Sequence, residues 1–253
     1  MKMAATKVEG ILLRRVRRAN AIFSLFDEGD KILLALSGGA DSLVMFRLLT
    51  DDSAPWYGKH DFFPVFIHSG FPADDMIQEK LIPFVASRGY ELVVKNENIY
   101  EVLQKSHTMS TCFTCSRMRR KLLVRTARHL SADKIALAHH KDDVVETFLL
   151  NILFNREISA IVPKQELFRG LFYIIRPMVL CDEKQIKRYA QDFALPVVEE
   201  KCPYADLSRR KIIKDMLESV SRVDRNVKNN IFMSLFKVKL DYLYTEYQRK
   251  RII

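Results

Sequence analysis

Six consecutive residues, Ser37-Gly38-Gly39-Ala40-Asp41-Ser42, hold what a phosphate-binding turn needs. Glycines let backbone N–H groups approach phosphate oxygens and relax the dihedral limits of the turn. Ser37 and Ser42 add hydroxyl donors, and Asp41 sets a carboxylate where magnesium on a triphosphate would take it as a ligand. No Gly-Lys-Ser/Thr follows, so this is not a Walker loop. The plainer reading is a strand-to-helix turn with Asp41 at a helix N-terminus. A second group, Ala138-His139-His140-Lys141-Asp142-Asp143, places two imidazoles and two carboxylates together, more than helix capping requires. Its histidines either ligate a metal or hydrogen-bond. A third group is Cys112-x-x-Cys115, followed by Arg117, Arg119, Arg120 and Lys121. Two thiols at that spacing converge on one metal or cluster, and a helix start lowers their pKa. A zinc half-site, a redox pair and two inert thiols fit the same residues. Cys202 is a third sulfur, ahead of a basic run at Arg209.

The elements needed to position these groups are legible as hydrophobic patterns. Residues 7–26 read as a basic amphipathic helix with Ile11, Leu12, Ala19, Ile22 and Phe23 on one side. Residues 31–36 form an apolar run ending at the glycine pair, which predicts a fully buried strand. Further strands are expected at 63–68, 91–95, 134–138 and 172–175. Helices are expected at 41–50, 74–88, from just after Cys115 to about 130, and at 142–154. Alternating strands and helices imply an α/β fold, an open parallel sheet with helices on both faces. Ligands bind such sheets beyond the carboxyl ends of the strands. Ser37 to Ser42, His68, Cys112 to Cys115 and His139 to Asp143 all fall there. From about residue 183 the pattern is helical only. The expected division is an N-terminal basic helix over 1–28, an α/β domain over 29–180, and a C-terminal helical region over 181–253.

The chain has 253 residues, 48% of them hydrophobic, enough for one substantial core. No apolar run approaches the roughly 18 residues that span a bilayer, and no secretory signal is apparent near Met1. No membrane partner and a cytoplasmic location are the expectation. There the four cysteines are not expected to form structural disulfides. The formal net charge is +10, clustered at Arg14 to Arg18, Arg117 to Arg128 and Arg209 to Lys214. Such clusters suit a nucleic-acid partner by neutralising phosphates, although each also reads as the wet face of a helix.

Ser-Gly-Gly-x-Asp-Ser resembles the signature of the PP-loop ATP pyrophosphatases, which cleave ATP between the α and β phosphates to make adenylates on an adenine nucleotide alpha-hydrolase fold. With Gly70-Phe71-Pro72, Cys-x-x-Cys-Ser-Arg-x-Arg-Arg, His-His-x-Asp-Asp, Ile175-Arg176-Pro177 and the late Cys202, the chain resembles the TtcA family of tRNA 2-thiocytidine synthetases over residues 30–220. That resemblance implies an ATP-dependent tRNA sulfurtransferase. The C2 oxygen of an anticodon-loop cytidine, position 32, would be adenylated and replaced by sulfur, releasing AMP and pyrophosphate. It implies ATP, Mg2+ and a [4Fe-4S] cluster as cofactors, with Cys112, Cys115 and Cys202 as its ligands and one iron left open. Asp41, Asp142 and Asp143 would organise ATP and magnesium, and Arg119 or Arg120 would neutralise charge near the adenylate. Ser37, Gly38, Gly39, Ala40, Ser42, His68, His139 and Arg176 would line the nucleotide site. Implied partners are tRNA, ATP and a desulfurase-derived sulfide or persulfide, and homodimerisation is common in the family. Cys181 is expected only to pack. Two departures stand out: Ala40 where the family usually has lysine, and a single late cysteine where it commonly has a pair. Competing readings are a cluster-free persulfide thiolase, a ligase of the same fold acting on a small molecule, and a zinc-containing RNA-binding module.

Overall fold

A computed structural model describes residues 7–105, 111–199, 203–204 and 209–244. Cys202 lies outside the described residues. The chain runs α1 (Lys7–Phe23), β1 (Lys31–Leu36), α2 (Ala40–Leu49), β2 (Asp61–His68), α3 (Asp74–Ala86), β3 (Val93–Asn96), α4 (Ile99–Lys105) and α5 (Thr111–His129). It continues with β4 (Lys134–Ala136), α6 (Lys141–Leu150), β5 (Lys164–Leu167), β6 (Phe172–Ile175), α7 (Glu183–Asp192), α8 (Arg209–Val223) and α9 (Val227–Ser234). The strands make one six-stranded sheet in the order β3-β2-β1-β4-β6-β5. Every neighbouring pair is parallel except β5 and β6. The chain leaves β1 for β2 and β3, then returns to β4 on the other side of β1. The crevice beyond the carboxyl ends of β1 and β4 is therefore the topological switch point of the sheet.

Alternation along the buried strands splits the core in two. Ile32, Leu34, Leu36, Phe66, Ala136 and Ile175 point to one face, against α2, α3, α6 and α7. Leu33, Val65, Ile67, Ile135 and Ile174 point to the other, where Ala127 of α5 covers them. Each fully buried aliphatic side chain stabilises the fold by about 1.5–3 kcal/mol. The N-terminal and C-terminal helices join the first core, since Leu12, Val16, Ile213, Leu217 and Phe232 belong to it. Tyr189 of α7 ties α1 to α2, donating to Glu9 Oε1 at 2.9 Å and accepting from Arg47 Nε at 2.9 Å.

Four local expectations are corrected. The buried stripe of α1 is Leu12, Val16 and Ala19, while Ile22 is exposed. Helix α5 starts at Thr111, so both cysteines lie within its first two turns and not before it. No glycine or proline stands between 111 and 129 to delay the start. Helix α6 ends at Leu150 and widens into a π turn over Asn151–Asn155. The sheet gains the edge strand β5, a short polar Lys-Gln-Glu-Leu segment with no hydrophobic signal. It runs antiparallel because a tight turn returns it to β6, with Phe168, Arg169 and Gly170 all at positive φ.

Candidate active site

The loop after β1 is braced from within. Ser42, almost wholly buried, accepts the Ser37 N–H at 3.1 Å through its hydroxyl and donates to the Gly39 carbonyl at 2.9 Å. Gly38 has φ +77°, and a Cβ there would lie 2.6 Å from Ile77 Cγ2, so only glycine fits. The Gly38 carbonyl accepts the N–H of Val198 at 3.1 Å, which pins the loop to the segment after α7. Gly39 is the N-cap of α2, Ala40 its first residue, and Asp41 lies on its first turn. Burial raises the Asp41 carboxyl above the ordinary carboxylate range, opposed by His140 and by Lys187 of α7 and assisted by Asp143.

The loop after β4 meets it across the switch point. His140 is buried between carboxylates, with Nε2 3.4 Å from Asp143 Oδ2 and 3.7 Å from Asp41 Oδ1. Asp143 also accepts the His140 backbone N–H at 2.9 Å, closing the start of α6. His139 accepts from Arg176 Nε through Nδ1 at 3.3 Å, so its remaining proton sits on Nε2. Burial first, then the Arg176 charge, pushes the His139 imidazole down to about 4, despite the opposing pull of Asp143. Arg176 itself is held by the Val162 carbonyl at 2.6 Å and Gln165 Oε1 at 3.3 Å. Burial lowers its guanidinium to about 10, with Arg120 adding to the shift, and it stays cationic at neutral pH.

Ser37, Asp41, Ser42, His139, Asp143 and Arg119 line one pocket of about 310 Å³, floored by Ala35, Leu36 and Ile67 at the ends of β1 and β2. Arg119 and Leu123 reach it from α5. A helix rises about 1.5 Å and turns about 100° per residue, so Cys115 sits on the Arg119 face about 6 Å up the axis and Cys112 about 10 Å up. The two thiols thus lie on the N-terminal continuation of the helix face that reaches the pocket. Cys112 is exposed and Cys115 half-buried. Among the described residues no three His, Cys, Asp or Glu side chains gather as a metal site.

His68 and Asp142 have their main partners outside this pocket, although Asp142 Oδ2 lies 3.8 Å from His140 Nδ1. His68 opens a neighbouring polar pocket and contacts Asp75 Oδ1 at 3.0 Å. Asp142 is not among the pocket-lining residues. Its Oδ2 accepts the Glu183 N–H at 2.9 Å and its Oδ1 accepts Lys228 Nζ at 2.8 Å. Burial opposes ionisation of Asp142, but these donors hold its carboxyl below the ordinary value. Cys181 is fully buried and its thiol is pushed up to about 12. Sequence reasoning missed Leu123, Gln165, Lys187, Val198 and Lys228. Only Lys187 carried a usable signal, as a cation on the polar face of an amphipathic helix.

A family model described as a PP-loop domain matches residues 12–220. A tRNA-cytidine(32) 2-sulfurtransferase from Methylobacillus flagellatus is 32% identical over 244 residues, 94% of this chain and 78% of that protein. One from Aeromonas salmonicida is 34% identical over 228 residues, 87% and 74% of the two chains. The chain belongs to the PP-loop tRNA-cytidine(32) 2-sulfurtransferase family. The fold agrees with that membership. The U34-tRNA thiolase NcsA from Methanococcus maripaludis, solved with its [4Fe-4S] cluster, superposes with TM-score 0.76 at 21% identity, covering 93% of this chain and 80% of that one. An NH3-dependent NAD synthetase from Campylobacter jejuni shares the fold more distantly, at TM-score 0.50 and 13% identity, covering 96% and 98%. No helix among the described residues is long and apolar enough to cross a membrane.

Proposed function

We propose that this member of the family activates the C2 oxygen of a tRNA cytidine, position 32, with ATP and replaces it by sulfur. The observation that carries the reading is one pocket ringed by the phosphate loop, Asp143, His139 and Arg119, with two cysteines one and two turns above Arg119 on the same helix face.

The C2 oxygen attacks the α-phosphorus of ATP and pyrophosphate departs. Loop N–H groups and the start of α2 receive the leaving phosphates. Asp41 and Asp143 would hold magnesium on the triphosphate. Arg119 neutralises charge that develops at the α-phosphate. His139 stays uncharged and presents an Nε2 proton donor of fixed orientation. A sulfide then adds to C2, and AMP leaves with the former C2 oxygen. Two thiols one turn apart suit a soft metal centre, and Cys202 would complete the set. Bound there, a [4Fe-4S] cluster with one open iron would supply the sulfide. Exposed Arg14, Arg17 and Arg18 of α1 would meet the tRNA backbone.

The test is anaerobic reconstitution with ATP, a sulfide source and a tRNA transcript carrying C32, followed by nucleoside mass spectrometry. Expected products are 2-thiocytidine, AMP and pyrophosphate in equal amounts, lost in Cys112→Ala and Cys115→Ala. ATP turnover to AMP with unmodified tRNA would overturn the reading in favour of another adenylating enzyme of this fold.

A further inference from the structure

Phe113 is two-thirds exposed (67%) and sits between the two cysteines on the first turn of α5. The helix's other large apolar side chains, Met118, Leu122, Leu123 and Val124, are all half-buried. Residues four and seven positions on share a helix face, so Phe113 tops a stripe that continues through Arg117 and Arg120. Both arginines are exposed. This stripe runs beside the one that carries Cys112, Cys115 and Arg119. Arg120 directly follows Arg119, which lines the pocket, so the lower end of the stripe borders the pocket's α5 wall. An aromatic face over a row of guanidinium groups matches single-stranded nucleic acid, in which bases stack and phosphates pair with cations. A protein partner would have to bury Phe113 while satisfying both arginines.

We propose that Phe113 is the platform on which an unstacked nucleobase of the anticodon loop rests, with Arg117 and Arg120 holding the phosphates beside it. This inference builds on the tRNA-thiolation reading. A base must leave its stack to be modified, and an exposed aromatic ring on the helix that reaches the pocket repays part of that cost.

The experiment compares Phe113→Ala, Phe113→Leu and Phe113→Tyr in the full chain, loaded as the parent is. It measures kcat and KM for tRNA, nucleotide affinity and iron content. Alanine and leucine are expected to raise KM for tRNA about 10-fold or more. Tyrosine restores it, and nucleotide affinity and iron content do not move. Leucine keeps the apolar area without the π face, so a parent-like leucine variant overturns the stacking role. Phe113→Trp gives a second readout, because the native Trp56 is buried (5% exposed). Its emission should be quenched by an anticodon stem-loop RNA and not by blunt duplex RNA. Emission unchanged by either RNA, or changed only by added protein, rejects the platform. A parent that makes no 2-thiocytidine sinks the functional reading, whereas the quenching reports on stacking independently.

Discussion

Asp142 and Asp143 are adjacent in sequence and face different neighbourhoods, because one step along a helix turns the side chain by about 100°. Asp143 looks into the pocket, and Asp142 clamps the start of α7 and Lys228. Asp143→Asn should cut kcat about 100-fold or more with little change in melting temperature. Asp142→Asn should instead cost about 1 kcal/mol of stability, because its partner Lys228 is partly exposed. Its folded-state pKa lies below the ordinary 3.8, so its stabilisation is in full force above about pH 4. That stabilisation disappears as the pH falls through the lower folded value. Thermal melts between pH 2 and 7 check this, since the asparagine variant should lose that part of the acid dependence. His139 gives a third outcome. With a pKa of about 4, its imidazole NMR signals should stay constant from pH 8 down to about 5. That Ser37, Asp41, Ser42, His139 and Asp143 gather in one pocket was legible from their places at the carboxyl ends of two buried strands. The split between Asp142 and Asp143 was not, because the partners that decide it, Glu183 and Lys228, are 41 and 86 residues away.

At the scale of elements, the buried central strands announced themselves through continuous apolar runs. The edge strand and the start of α5 did not. A polar edge strand has one neighbour and little burial to imprint on its composition, and Cys-x-x-Cys carries no helix signal of its own. Arg176 shows what the missing strand does, since its grip on Gln165 and Val162 joins β5 and its approach to His139. The phosphate loop offers a sharper test. Gly38→Ala should destabilise the fold by about 1–2 kcal/mol through its positive φ alone. The clash with Ile77 adds to that. Combining it with Ile77→Ala should relieve the clash and leave both the backbone strain and the loss of ATP binding. Urea unfolding and nucleotide titration of the single and double variants separate the two contributions.

For the whole molecule, the net charge of +10 pointed toward nucleic acid, but it could not say which cations are free to act. Arg210 and Lys214 of α8, though exposed, lie 3.8 and 3.6 Å from the buried Glu146 and offset part of the burial that raises its carboxyl. Arg14, Arg17 and Arg18 of α1 are exposed as well. Neutralising Arg14, Arg17 and Arg18 together should weaken tRNA binding and flatten its salt dependence by about 2–3 in log–log slope. Neutralising Arg210 and Lys214 should mainly lower the melting temperature. Binding measured across a salt series, alongside melts, distinguishes these outcomes. The brace between Val198 and Gly38 carries a consequence for how the protein is made. A peptide unit is rigid and its oxygen and N–H point in opposite directions. Holding the Gly38 oxygen therefore aims the Gly39 N–H. A nascent chain that has emerged as far as α6 already displays both motif loops, yet lacks the residue that fixes this aim. The aim of the Gly39 N–H is therefore set only once synthesis has passed residue 198.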